Sequence, residues 1–241
     1  MIAFGLSWHN IWAKMNPDDL AFNLARVKAE IAEACERVGR KPEEVSLLLV
    51  TKTFPPETVR MAYDLGHRLF GENRVQEAAQ KVKSLPPDII WHMIGHLQTN
   101  KVKRALDLFS VIESIDRLPL AEEISKRATR PIPCLIEVNT SGEESKHGAA
   151  PAEVRFLAEK MLGLPRINLV GLMTLGPYPV SESASRKAFS LLRRLRDDIA
   201  DEFKITLPIL SMGMSEDYIW AIEEGATEVR LGRAVFGPRL G

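Results

Sequence analysis

The chain alternates between short apolar runs and longer stretches in which apolar residues recur every three or four positions. Eight runs read as strands: VSLLLVT (45–51), RLFG (68–71), IIWHMIG (89–95), LFSVIES (108–114), IPCLIEVN (132–139), INLVGLMT (167–174), PILS (208–211) and TEVRLG (227–232). Between them, helical spacing covers 56–65, 73–83, 99–107, 117–129, 151–163, 181–203 and 215–224. A further helix precedes the first strand. Asn16 caps it, Pro17 opens its first turn, Leu20, Leu24, Val27, Ile31 and Ala34 form its apolar stripe, and Gly39 stops it. No linker or low-complexity stretch interrupts the alternation.

Short strands joined by helices imply parallel pairing, because parallel neighbours need crossovers. The runs are apolar enough to be buried on both faces. An open doubly wound sheet usually has fewer strands, and no Gly-rich dinucleotide fingerprint follows the first strand. The pattern therefore predicts a single closed TIM-type (β/α)8 barrel over 15–241, a size that 241 residues allow. The N-terminal helix is expected to fill the place left by a missing helix after strand eight. Residues 1–14, MIAFGLSWHNIWAK, precede a second methionine and lack the basic start and cleavage site of a signal peptide. They are read as an extension, either a mistaken upstream start or a loosely attached arm.

Composition narrows the function classes. The 32 basic and 32 acidic side chains cancel, so the electrostatic footprint of a nucleic-acid binder is missing. No apolar run approaches the length needed to span a bilayer. Cys35 and Cys134 fall in a helical and a strand pattern and are read as buried free thiols in a reducing compartment, which points to the cytoplasm.

In such barrels the chemistry gathers at the C-terminal ends of the strands. At the seventh junction, LSMGMSEDY offers Ser211, a permissive Gly213 and Ser215 as a predicted helix N-cap. At the eighth, VRLGRAVFG adds Gly232 and Arg233. Exposed amides there attract phosphate, and the loops after strands seven and eight are a common phosphate site in these folds. Lys52 follows the first strand. Closure brings strand one against strand eight, so Lys52 is expected beside Arg230 and the phosphate cup. An amine near a phosphate site suits pyridoxal 5'-phosphate (PLP); a lysine aldolase acting on a phosphorylated sugar shares the same ingredients. His92 and His96 have HxxxH spacing on a strand end rather than a helix and are not expected to bind zinc. Lys146, in SGEESKHG, is read as a loop charge, with a second PLP acceptor as the open alternative.

Several strings carry a family resemblance: VTKTFP, FGENRVQEA, WHMIGHLQTNK, IESIDR, EVNTSGEESKHG, GLMTLGP and LSMGMSEDYIWAIEEGATEVRLGRAVFG. In this order, over about 17–239, the chain resembles the PLP homeostasis proteins, also called the proline synthase co-transcribed homologue family. The resemblance implies an alanine racemase N-terminal-type barrel holding PLP as an aldimine on Lys52. It places Asn73 near the cofactor ring, Ser211 and Gly213 in the phosphate-binding segment and Arg230 facing the pyridine nitrogen. Gly232 and Arg233 fall on the second phosphate loop, and Met173, at the sixth strand end, joins the cofactor contacts. Arg233 stands where a small hydroxyl residue is common, so its contribution falls to the backbone amide.

The implied role is PLP storage, buffering or delivery by a cytoplasmic monomer, with apo PLP-dependent enzymes as recipients. The alternative is a racemase-like PLP enzyme. That chemistry needs a second base, which alanine racemases draw from a second domain and partner subunit; here only Tyr63, Tyr178 and Tyr218 could replace it, and none is expected opposite Lys52.

Overall fold

Helix α1 (Pro17–Arg37) starts where the Asn16 side chain accepts a hydrogen bond from Asp19 N at 2.8 Å. Asp18 and Asp19 lie at its positive end. Its predicted stripe, Leu20 to Ala34, is buried throughout. Gly39 follows the helix with φ +68°, a conformation that favours glycine. Asn16→Ala is expected to lower stability by about 1 kcal/mol, read from the urea midpoint, because it removes this cap. The computed structural model describes residues 15–238. The extension read over 1–14 lies outside the described residues.

Eight strands follow: β1 (Ser46–Val50), β2 (Leu69–Glu72), β3 (Ile90–Met93), β4 (Val111–Ile115), β5 (Ile132–Glu137), β6 (Ile167–Met173), β7 (Ile209–Ser211) and β8 (Glu228–Leu231). They form a closed parallel barrel in sequence order, with β1 against β8. The crossovers carry α2 (Pro56–Asp64), α3 (Val75–Lys81), α4 (Val102–Leu106), α5 (Leu118–Arg127), α6 (Val154–Leu162), α7 (Glu182–Phe203) and α8 (Tyr218–Glu223). The barrel predicted from the alternation is the one observed. A short helix, α9 (Arg233–Phe236), follows β8, so the ring is not empty there as expected; α1 packs against both α8 and α9.

Arg230 pairs with Leu48, and Leu49 with Leu231, in the staggered parallel register between β1 and β8. Lys52 lies beyond the end of β1. Ser215 is not the N-cap of α8, which begins three residues later. Asp217 Oδ1 accepts from Met214 N at 2.6 Å and closes a turn there, while Ser215 Oγ accepts from Ala234 N at 3.1 Å.

The main core lies between sheet and helices, and two smaller apolar clusters, Leu48–Val50–Ile94 and Val111–Leu135–Met173, are separate from it. Strand alternation turns every second residue to the same face. Beyond Val50 that face continues towards Lys52, beyond Val111 to Glu113, beyond Leu135 to Glu137, and beyond Ile209 to Ser211. The barrel interior is thus apolar below and polar towards the C-terminal ends. Cys35 and Cys134 are buried free thiols, and burial pushes the Cys134 thiol up to about 12. Among the described residues, no helix is long and apolar enough to cross a membrane.

Candidate functional site

The C-terminal ends of the strands surround a cavity of about 340 Å³. Lys52, Asn73, Arg230, Gly232 and Arg233 line it, joined by Glu137, Lys146, His96 and His147. Five of the eight residues expected at the site therefore meet around one space. Met173, Ser211 and Gly213 do not line it. Met173 packs below with Val111 and Leu135. Gly213 has φ +93°, and a Cβ there would come within 2.6 Å of the Ala221 Cβ and 2.9 Å of the Tyr218 Cα. Its absent side chain lets the strand end lie against α8.

Ser211 belongs to a buried polar cluster beneath the cavity. Arg230 donates from Nη1 to Ser211 Oγ and from Nη2 to the Thr174 carbonyl, both at 2.6 Å. Ser211 Oγ also lies 2.6 Å from Glu113 Oε2 and 2.7 Å from Glu228 Oε1. On the other side of Glu113, His92 Nδ1 stands 2.6 Å from Oε1. A hydroxyl has one proton and two lone pairs. With the guanidinium donating to it, Ser211 can give its proton to only one carboxylate, and the other must arrive protonated.

The electrostatics choose between them. Burial raises Glu113, but the His92 hydrogen bond and the His92 and Arg230 charges outweigh it and hold that carboxyl below its ordinary value. Burial and the neighbouring Glu113 charge push Glu228 up to about 8. Burial alone would lower His92; its bond to Glu113 and the two carboxylates raise it instead. Ser211 thus donates to ionised Glu113 and accepts from Arg230 and protonated Glu228. The hydroxyl expected near phosphate is engaged below the floor, where it positions Arg230.

Among the described residues, three polar atoms of the cavity wall, Asn73 Oδ1, Glu137 Oε2 and Asp217 Oδ2, are buried without a hydrogen-bond partner. Burial first, then Asp116, raises Glu137 to about 7. Asn73 is seated by Gly95, where a Cβ would approach the Asn73 carbonyl oxygen to 2.4 Å. Only glycine allows that approach. Arg233 reaches across to Glu216 at 2.5 Å, tying the β8 loop to the β7 loop. Lys146 donates to Glu143 Oε1 and the Gly176 carbonyl, each at 2.6 Å, and so works as a loop strap at the rim.

The HxxxH pair is divided. His92 joins the buried cluster, while His96 stacks on His147 with ring centroids 4.1 Å apart and planes 18° apart. One ligand atom from each ring and one Asp116 oxygen lie within 4.8 Å of one another. Of the three tyrosines, Tyr63 bonds Asp88 and Tyr218 bonds Glu30, whereas Tyr178 lines the cavity rim and is 78% exposed. Strand-end polarity revealed Lys52, Asn73 and Arg230 but passed over Glu137 and Glu228. The signal for Glu228 was present, since it stands two residues before Arg230 on the same face.

The alanine racemase N-terminal domain model matches residues 22–239. The pyridoxal phosphate homeostasis protein of Aquifex aeolicus is 47% identical over 220 residues, which is 90% of this chain and 96% of that protein. PipY of Synechococcus elongatus, solved with PLP bound, is 32% identical with a TM-score of 0.80, over 90% of this chain and 100% of that one. An alanine racemase of Clostridium difficile shares the fold, with a TM-score of 0.75 at 17% identity over 93% of this chain and 58% of its own. The chain belongs to the pyridoxal phosphate homeostasis protein family, on the alanine racemase N-terminal domain.

Proposed function

We propose that this protein binds PLP at the barrel mouth and acts in PLP homeostasis, by storage, buffering or delivery. One observation carries the reading: Lys52, Asn73, Arg230 and Gly232, brought from three different strand ends, line a single cavity. Its donor set fits the group. Cationic side chains match a phosphate ester, and unpartnered Asn73 Oδ1 and Glu137 Oε2 await a polar ligand. The relative solved with PLP bound supports the same assignment.

Bound PLP supplies an aldehyde that condenses with an amine. Lys52 supplies that amine and acts as a tether. Gly232 and the Arg233 backbone hold the phosphate, with the Arg233–Glu216 pair fixing the loop. The Arg230 guanidinium donates hydrogen bonds and accepts none, so placed at the ring nitrogen it would leave that nitrogen unprotonated. Electron withdrawal through the ring would then be weak, which disfavours aminotransferase chemistry. The reading includes a cytoplasmic monomer that hands PLP to apo PLP-dependent enzymes.

Borohydride reduction of the PLP-loaded protein, followed by peptide mapping, is expected to place the label on Lys52 and to bleach the visible band. Label on another lysine sinks the assignment. The observation favouring a racemase-like enzyme is Tyr178 at the rim. Incubation with L-amino acids in deuterated water separates the two readings: a carrier leaves Cα unlabelled, whereas deuterium incorporation that disappears in Lys52→Ala identifies an enzyme.

A further inference from the structure

Lys52 sits in a turn whose two flanking residues are both gripped by one buried ion cluster. Lys81, on α3, is 4% exposed. Its ammonium donates to the Thr51 carbonyl at 2.6 Å, to Glu72 Oε1 at 2.6 Å and to Glu77 Oε1 at 2.7 Å. Those three bonds use all the donors a lysine has. The Thr51 hydroxyl donates to the same Glu72 oxygen at 2.5 Å, and Thr53 N donates to the same Glu77 oxygen at 2.6 Å. Phe54 N closes the turn on the Thr51 carbonyl at 3.0 Å.

Thr53 has φ +70°. For a β-branched residue that region is a genuine outlier, and it persists only where the surroundings enforce it. The enforcing contact is the bond from its amide to Glu77. A buried ion cluster seldom stabilises a fold more than well-packed apolar residues do, so its use lies in fixing geometry. Here the fixed geometry is that of the backbone on either side of Lys52.

We propose that Lys81, Glu77 and Glu72 are positioning residues that hold the 51–54 turn in the conformation presenting the Lys52 amine to the cofactor. The proposal rests on the reading of Lys52 as the cofactor-bonding lysine. It assigns to α3, which lies outside the cavity, control over how long the cofactor stays bound.

The test uses the full chain loaded with PLP and three proteins: wild type, Glu77→Ala, and Glu77→Ala combined with Thr53→Asn. Glu77 is partly exposed and Glu77→Ala leaves the Lys81–Glu72 pair in place, so the fold persists. Three quantities are read: the rate of PLP loss to excess apoenzyme, the induced circular dichroism of the cofactor band, and the melting temperature. Glu77→Ala is expected to speed PLP loss by about ten-fold, the effect of losing one hydrogen bond to a charged group, and to weaken the dichroism. Asparagine tolerates the left-handed region, so Thr53→Asn is expected to restore both cofactor readouts without help from Glu77.

A melting temperature that falls in Glu77→Ala while the loss rate stays within about two-fold of wild type overturns the proposal, as does failure of Thr53→Asn to restore the rate. Borohydride label away from Lys52 in the wild type overturns the underlying reading instead, so the two failures are separable.

Discussion

Arg230→Met is expected to remove about 3–5 kcal/mol of stability, a large share of the roughly 5–15 kcal/mol typical of a folded domain. Methionine keeps the length of the stem and takes away only the guanidinium. What remains is ionised Glu113 with one positive neighbour fewer, the Ser211 oxygen with one donor fewer, and the Thr174 carbonyl without the guanidinium's. All three are fully buried, so water does not replace what is lost. Arg230→Lys restores the charge but not the fork that reaches Ser211 and Thr174 together, and is expected to cost about 1–2 kcal/mol. Combining Arg230→Met with Glu113→Gln should recover part of the loss, because the uncompensated charge is gone. Urea unfolding of the apoprotein measures all three variants against wild type. An Arg230→Met protein within about 1 kcal/mol of wild type would show that Arg230 serves the ligand alone and does not hold the floor together.

The fold was legible because its signals are local and repeated. The stripe from Leu20 to Ala34 faces the core as its spacing predicts, and each apolar run became a barrel strand. Lys52, Asn73 and Gly232 were legible for a related reason: a polar or glycine residue directly after an apolar run marks a strand end, and strand ends converge in a barrel. Residues whose roles depend on distant partners were hidden. Lys81 reads as an ordinary helical lysine until Thr51 and Glu72 close around it. Ser211 carries the residue type expected for phosphate, but Glu113, nearly a hundred positions away, receives its hydroxyl. Ser215 fits a capping pattern, yet Asp217 takes Met214 N and delays the helix. For Lys81 and Ser211 a partner from another element outweighed the local reading, and for Ser215 a neighbour in the same loop did.

Glu113→Gln is expected to be costly at neutral pH and Glu228→Gln not, although both carboxyls touch the same hydroxyl. Glu113 is held ionised, so its replacement removes the partner of His92 and weakens the setting of Arg230, at about 2–4 kcal/mol. Glu228 is already protonated, and a glutamine NH2 can donate to Ser211 as the carboxylic acid does, so the variant should match wild type within about 1 kcal/mol only at the acid end of the window and gain on it as pH rises. The pH dependence separates them further. A carboxyl raised on folding binds its proton more tightly in the native state than in the unfolded chain. Its stabilising contribution is complete below the unfolded value and is lost as pH rises through the folded one. For Glu228 that window runs from the ordinary carboxyl range to about 8, and for Glu137 to about 7. Wild-type stability should therefore fall across this window, by an amount on the order of a few kcal/mol. Glu228→Gln should flatten the alkaline part of the fall, leaving the variant more stable than wild type at the alkaline end of the window. Glu113 has the opposite sign, because its contribution is lost as pH falls through its lowered value. Urea midpoints across the pH series test the assignment. Equal losses for Glu113→Gln and Glu228→Gln at neutral pH, or an unchanged alkaline slope in the latter, would mean that the two carboxyls share the proton and Ser211 does not discriminate between them.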